Sequence, residues 1–287
     1  MRRFLPFLLA LIALSIFTGS TYAAPSANLW ERWTQHDPAS AKTIDHSAWT
    51  SLLNLYLLKH HTGVNHFRYE QVSQADQKKL NDYLIHLTKT KISQYNRNEQ
   101  RAYWINLYNA LTVNVVIKNL PVRSIKEISS GLFSSGPWKK KLLKIEGEEL
   151  SLDDIEHRIL RPIWKDPRLH YAVNCASVGC PNLQAKAFTA ANSESLLDKG
   201  ARDYINHPRG VKVDDEGRLR VSSIYVWFSE DFGGDEGILQ HFRQYADPPL
   251  ASSLQRDLTI DDDYYNWNLN GVGTLKAKPK TGREIGS

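Results

Sequence analysis

The chain has 287 residues, 41% of them hydrophobic and 23% charged, with a formal net charge of +5 and two cysteines. Arg2 and Arg3 carry two of those charges, and the tail from Val272 to Ser287, with Lys276, Lys278, Lys280 and Arg283 against Glu284, carries the other three. The remainder is formally neutral and shows no helix striped with Lys or Arg, which excludes nucleic acid as a partner.

Taken from the start, Arg2 and Arg3 precede an apolar run from Phe4 to Phe17 and then a small, polar stretch ending at Ala23, the three regions of a signal peptide. The run is shorter than the roughly 20 residues that span a bilayer, and Pro6 interrupts it. No later segment is long and apolar enough to span either. The reading is therefore a leader over 1–23, one globular domain over 24–271 and a flexible basic tail over 272–287. It predicts a periplasmic or secreted protein with no membrane span once the leader is cut. About 250 residues supply one sizeable core or two small ones, and the lack of a Pro/Gly/Ser-rich linker favours one.

From Asn28 to about Lys91 the spacing is helical, with Trp49, Leu52 and Leu53 and then Leu80, Tyr83, Leu84 and Leu87 on packing faces. His60, His61 and His66 between them have no acidic or cysteine partner at ligand spacing, so they read as surface or loop histidines and no metal is called for. Glu99 to Leu120 predicts a buried helix, apolar nearly all round, in which Asn106 and Asn109 share a face. Buried amides need partners, and these either tie neighbouring loops to the core or orient a catalytic group. Ser129 to Pro137 reads as a flexible loop, followed by Lys139, Lys140 and Lys141 and a hairpin turning at Gly147.

Ser151 to Arg161 predicts a short helix capped by Ser151 with Asp154 three residues on, and ended by Pro162. Leu152, Ile155, Ile159 and Leu160 form its apolar face, Glu156 falls inside that face, and His157 lies on its margin. A core-facing carboxylate needs a partner and reads as functional or as a structural lock. Arg168 to Asn174 alternates as a strand, leading into the sharp turn Cys175-Ala-Ser-Val-Gly-Cys-Pro181. At such a strand end, amides converge to lower a thiol pKa or hold an oxyanion. His170 would stand about 16 Å along the strand on its opposite face, a poor base for Cys175. In an oxidising compartment the default for Cys175 and Cys180 is a disulfide, and the sequence leaves their bonding open. A helix over Ser193–Asn206, a hairpin pairing Val211–Val213 with Leu219–Val221, and two aromatic-rich blocks that close the core complete the chain. The pattern is α+β, a helical N-terminal part packed on a mainly antiparallel sheet, with no cofactor called for.

Five ordered blocks carry a resemblance: Tyr103 to Asn109, Leu150 to His157, His170 to Pro181, Trp227 to Phe232, and Tyr265 to Asn270. Together they resemble the domain of unknown function (DUF) 547 family. The resemblance implies a papain- or transglutaminase-like fold and a constellation of Cys, His and an acid or amide. Carried onto this chain, it marks Cys175 as the special thiol, beside the Glu156–His157 pair. The order departs from papain-like enzymes, since His157 precedes Cys175. The resulting expectation is a thiol hydrolase or acyl transferase acting on a peptide or small molecule. Cys175 would attack, His157 would take its proton, and Glu156 or Asn109 would hold the imidazole. The alternative is a non-catalytic binding or scaffolding domain with these residues as an internal lock. A dithiol redox role is disfavoured by the Cys-x-x-x-x-Cys spacing.

Overall fold

A computed structural model describes residues 25–128 and 136–273. The leader, the loop over 129–135 and the tail from 274 onward lie outside the described residues.

Helix α1 (Ser47–Tyr56) buries Trp49, Leu52 and Leu53, and α2 (Gln74–Lys89) buries Leu80, Tyr83, Leu84 and Leu87, the faces the spacing predicts. Between them lies a hairpin where only helix was expected, β1 (Leu57–Lys59) paired antiparallel with β2 (Asn65–Phe67). His66 on β2 is buried, not at the surface, with Nδ1 3.3 Å from the Gly271 carbonyl. Helix α3 (Arg97–Lys118) starts at Asn96, whose side chain accepts from the Asn98 and Glu99 amides. Every residue of it from Glu99 to Ile117 is buried, which makes it the central element. A hairpin follows, β3 (Leu143–Ile145) with β4 (Glu148–Leu150), turning through Glu146 and Gly147 at positive φ.

The capping box forms as expected. The Ser151 amide donates to Asp154 Oδ2 (2.8 Å) and the Asp154 amide to Ser151 Oγ (3.2 Å). Beyond it the helix widens into a π-helix, Asp154–Leu160, and runs on as α4 (Arg161–Trp164). Pro162 therefore does not end it, and the reason is visible in the carbonyls. The Arg161 amide bonds to Glu156 O, passing over His157 O, and Pro162 has no N–H for Arg158 O. Both oxygens are taken by the N-terminal segment: Asn28 N donates to His157 O (2.9 Å) and Trp30 N to Arg158 O (3.0 Å). With its accounts of backbone polarity closed from outside, the helix tolerates the proline. Lys165, at φ +50°, ends it.

Residues 168–174 are not a strand. Asp166 caps a 3₁₀ helix, Pro167–Tyr171, by accepting from the Arg168 amide (2.9 Å), and Pro167 sits where a helical turn favours proline. Leu169, His170, Tyr171 and Ala172 are all buried, so the alternation separated no wet face from a dry one. Helix α5 (Ser193–Ile205) and the antiparallel pair β5 (Val211–Val213) and β6 (Leu219–Ser222) lie where predicted. Short helices α6 (Ser223–Trp227) and α7 (Ser229–Phe232), then α8 (Gly234–Tyr245) and α9 (Pro248–Ser253), lead to β7 (Ile260–Tyr264), which pairs parallel with β6.

The fold is α+β, half helical with small sheets. In place of one mainly antiparallel sheet, the described residues form two hairpins and a three-stranded sheet with one parallel pair. The buried apolar side chains divide into a larger cluster around α3 and a smaller one around Tyr204, Tyr225 and Phe242. Leu169 and Ala172 belong to the larger and Tyr171 to the smaller, so the segment leading to Cys175 straddles both. Among the described residues no helix is long and apolar enough to cross a membrane.

Candidate active site

The loop 174–181 is built by side-chain amides. Asn109, from α3, donates through Nδ2 to Ala172 O and accepts from the Asn174 amide, both at 2.8 Å. Asn106, one turn earlier, makes the same two-pronged contact with Phe188, donating to its carbonyl (2.7 Å) and accepting from its amide (2.9 Å). These are the loop ties that buried amides lead one to expect. Asn174 continues the frame by accepting from the Ala176 amide (2.9 Å) and donating to Pro181 O (2.7 Å). From the chain end, Asn270 N donates to Ala176 O (3.0 Å), while Val178 N and Gly179 N donate to Asn268 O and Asn266 O, each at 2.8 Å.

This frame holds two tight features. Ala176 has φ +62°, a left-handed conformation that is costly for a residue with a Cβ. At Gly179 a Cβ would come within 2.7 Å of the Asn266 amide nitrogen, so only glycine allows the 266–268 segment to pair there.

Cys175 is half-buried and Cys180 buried, both as free thiols, with the sulfurs 3.0 Å apart. Cys175 Sγ also lies 3.2 Å from Ser177 Oγ and 3.0 Å from Tyr265 Oη. Ser177 donates to Tyr265 Oη (2.8 Å), which leaves the phenol proton free to point at the sulfur. The Cys180 thiol, opposed by burial but joined by Tyr265, holds the Cys175 thiol below its ordinary pKa, while the Glu156 carboxylate pushes it up. Burial, and then the hydrogen bond with Cys175 and its charge, push Cys180 far up. Burial likewise keeps the Tyr265 phenol protonated.

The other candidates sit elsewhere. Glu156 faces the interior as the helix wheel requires, and its partner is the Tyr108 hydroxyl, not a base. His157 is not a hydrogen-bond partner of Cys175, nor does Asn109 hold its ring. His157 Nδ1 instead accepts from Arg161 Nη1 (3.0 Å), and since a guanidinium only donates, the ring is neutral with its proton on Nε2. Burial and Arg161 hold its pKa down. Arg161 also grips Asp231 through Nε (2.5 Å) and Nη2 (3.1 Å), and His170 Nε2 lies 2.7 Å from the same carboxylate. The Phe228 ring stacks on both histidines. The structure thus joins Asn109 to the Cys175 loop and places His157 in a separate Arg161–Asp231–His170 cluster. The amides expected to receive an oxyanion are taken, Cys175 N by Cys180 Sγ (3.0 Å) and Ala176 N by Asn174.

Sequence reasoning missed Ser177, Asn174 and Asn270 as site residues, and Tyr265 above all. The block from Tyr265 to Asn270, dense in amides and aromatics, was legible only as core closure. It also contributes to an aromatic wall: Trp227, Tyr265 and Trp267 touch one another at ring separations of 4.6–5.7 Å, and Trp138 joins Trp267 at 5.8 Å. All four are half-buried. Among the described residues no group of three or more His, Cys, Asp or Glu side chains is placed to hold a metal ion.

Residues 92–205 match the family model described as "Protein of unknown function, DUF547". Over these residues the chain is similar to the DUF547 family. The matched segment holds α3, the π-helix and the cysteine loop, three of the five blocks that suggested the family. The matched segment ends before Asp231, Tyr265 and Asn270. Comparison with curated proteins and with solved structures finds no match.

Proposed function

We propose that this is an exported thiol enzyme of the hydrolase or acyl-transferase type, with Cys175 as its nucleophile, working in the periplasm or outside the cell. The observation that carries the reading is the convergence of three hydrogen-bonding groups, Ser177, Cys180 and Tyr265, on the Cys175 sulfur. Cys180 and Tyr265 each have a proton to give the sulfur, Ser177 orients Tyr265, and together they lower the pKa and so raise the fraction of thiolate, the form that attacks. In this chemistry the thiolate adds to an acyl carbonyl, and the Tyr265 hydroxyl, which keeps its proton, donates to the oxygen that becomes negative. The half-buried wall of Trp138, Trp227, Tyr265 and Trp267 supplies an apolar surface beside the sulfur for a peptide side chain or other acyl group. The order of charged, apolar and small regions in residues 1–23 supports export. A papain- or transglutaminase-type relation belongs to the same proposal and is supported by the family resemblance. The absence of His157 from the sulfur's partners weighs against a literal Cys–His pair.

The binding or scaffolding reading is favoured by one observation, the engagement of His157 with Arg161 in a cluster that ties distant segments together. The two separate on incubation with an activated aryl ester or thioester, followed by intact-mass analysis. An acyl adduct located on Cys175 by peptide mapping, and absent from Cys175→Ser, is the expected result. A native protein that forms no adduct at Cys175 and labels no faster there than an ordinary thiol would overturn the enzymatic reading.

A further inference from the structure

The geometry points to a second activity of this loop: Cys175 and Cys180 form a working dithiol that exchanges with a disulfide on another molecule. The inference rests on Cys175 being the reactive thiol and adds a role for Cys180.

Three observations combine. The sulfurs lie 3.0 Å apart, so about 1 Å of approach closes a bond of ordinary length. The loop between them is already wound for closure, with Ala176 at φ +62° and Gly179 packed against Asn266, and it is pinned on both sides by Asn174, Asn270 and the 266–268 backbone. Forming the bond therefore asks little reordering of the chain. Third, the two thiols differ in access. Cys175 is half-buried and the wall of aromatic rings begins at its neighbour Tyr265, whereas Cys180 is buried behind it and receives the Cys175 amide on its sulfur. An incoming disulfide meets Cys175 first and can meet Cys180 only after Cys175 has reacted. The four-residue spacing argued against such a role only by analogy with two-residue motifs; the folded loop reaches the same proximity by another path.

The chemistry balances without a cofactor. The Cys175 thiolate attacks one sulfur of the incoming disulfide, the S–S bond breaks, and one thiolate departs, leaving a mixed disulfide at Cys175. Cys180 then attacks Cys175 Sγ, its proton passing to the second departing thiolate. The other molecule has gained two electrons and two protons overall as two thiols, and Cys175–Cys180 has lost them. Deep burial keeps Cys180 protonated until this step, which directs the first attack to Cys175.

The test uses the whole chain, reduced, with glutathione disulfide as the probe and intact and peptide mass spectrometry as the readout. Wild type should lose two hydrogens, release two glutathione equivalents and carry a Cys175–Cys180 bond. Cys180→Ser should stop at a stable glutathione adduct on Cys175, and Cys175→Ser should react at least tenfold more slowly. A wild type that keeps a stable glutathione adduct, or that oxidises only between two molecules, overturns the inference. Acylation of Cys175 in the wild type, measured beside its reaction with glutathione disulfide, separates the two proposals. If Cys175 acylates but never closes on Cys180, only the dithiol role fails. If it reacts with neither probe, the nucleophile reading fails with it.

Discussion

Tyr265 and Glu156 act on the Cys175 sulfur with opposite sign. The phenol, kept protonated by burial, donates to the thiolate, and the carboxylate, through its charge, disfavours it. Removing each should therefore move the thiol in opposite directions. In Tyr265→Phe the midpoint of the pH–alkylation profile should rise toward the ordinary value of about 8.5, with iodoacetamide labelling of Cys175 at pH 6 falling roughly tenfold for each unit of rise. In Glu156→Gln the midpoint should fall below that of wild type. Peptide mapping of the label across pH checks both, and a shift of the same sign in the two variants would contradict the arrangement. The polarity follows from neighbours that no local window contains: Tyr265 lies 90 positions from Cys175.

Helix α3 shows how far the sequence carries at the scale of an element. Its extent and its full burial follow from periodicity, and the cost of an unpaired amide required partners for Asn106 and Asn109 while leaving open whether these would be loops or a catalytic group. The two clamps make a matched pair for experiment. Asn109→Ala strands the Asn174 amide and the Ala172 carbonyl and should cost about 1–3 kcal/mol, with loss of selective Cys175 labelling, because that clamp sets the loop. Asn106→Ala strands the two Phe188 groups at a similar cost and should leave the labelling intact. Urea denaturation alongside alkylation reads both. The capping box at Ser151 and the hairpins at Gly147 and Glu216–Gly217 were equally legible, since each is a local pattern. What failed did so where a distant segment decided the outcome. Pro162 stops a helix whose carbonyls have no other donor, and here Trp30 supplies one. The alternation of 168–174 suits a half-buried strand, but the segment lies between two apolar clusters and Asp166 and Pro167 start a helical turn. The family resemblance placed His157 beside the thiol, and its actual partner, Arg161, stands four residues on in the same stretch of helix.

At the scale of the whole molecule, Arg161 ties together segments far apart in the sequence. It binds Asp231 in α7, the Pro25 carbonyl (2.6 Å) and His157, and its side chain is only 5% exposed. A buried cation left without its carboxylate is expensive, so Asp231→Ala should lower the stability by about 3–5 kcal/mol, whereas Arg161→Met combined with Asp231→Leu should recover much of the loss. Urea midpoints of the single and double variants test this, and equal loss in both would show that the charge pair is not what matters. The pH dependence has a definite sign. Burial alone would raise the Asp231 carboxyl, but His170 and Arg161 outweigh it and hold it well below the usual range. Its contribution is therefore complete above about pH 4 and is lost as the pH falls toward the folded-state value. The lateness of Tyr265 has a further consequence, one of timing. At roughly 5–20 residues per second, the 90 residues between Cys175 and Tyr265 take about 5–20 s to synthesise. During that interval both thiols are on the growing chain without the phenol, the Asn270 side chain or the 266–268 backbone that later enclose them. Until those residues are made nothing pins the loop from the chain end, so the order in which Cys175 and Cys180 meet a disulfide is a property that only the finished fold confers.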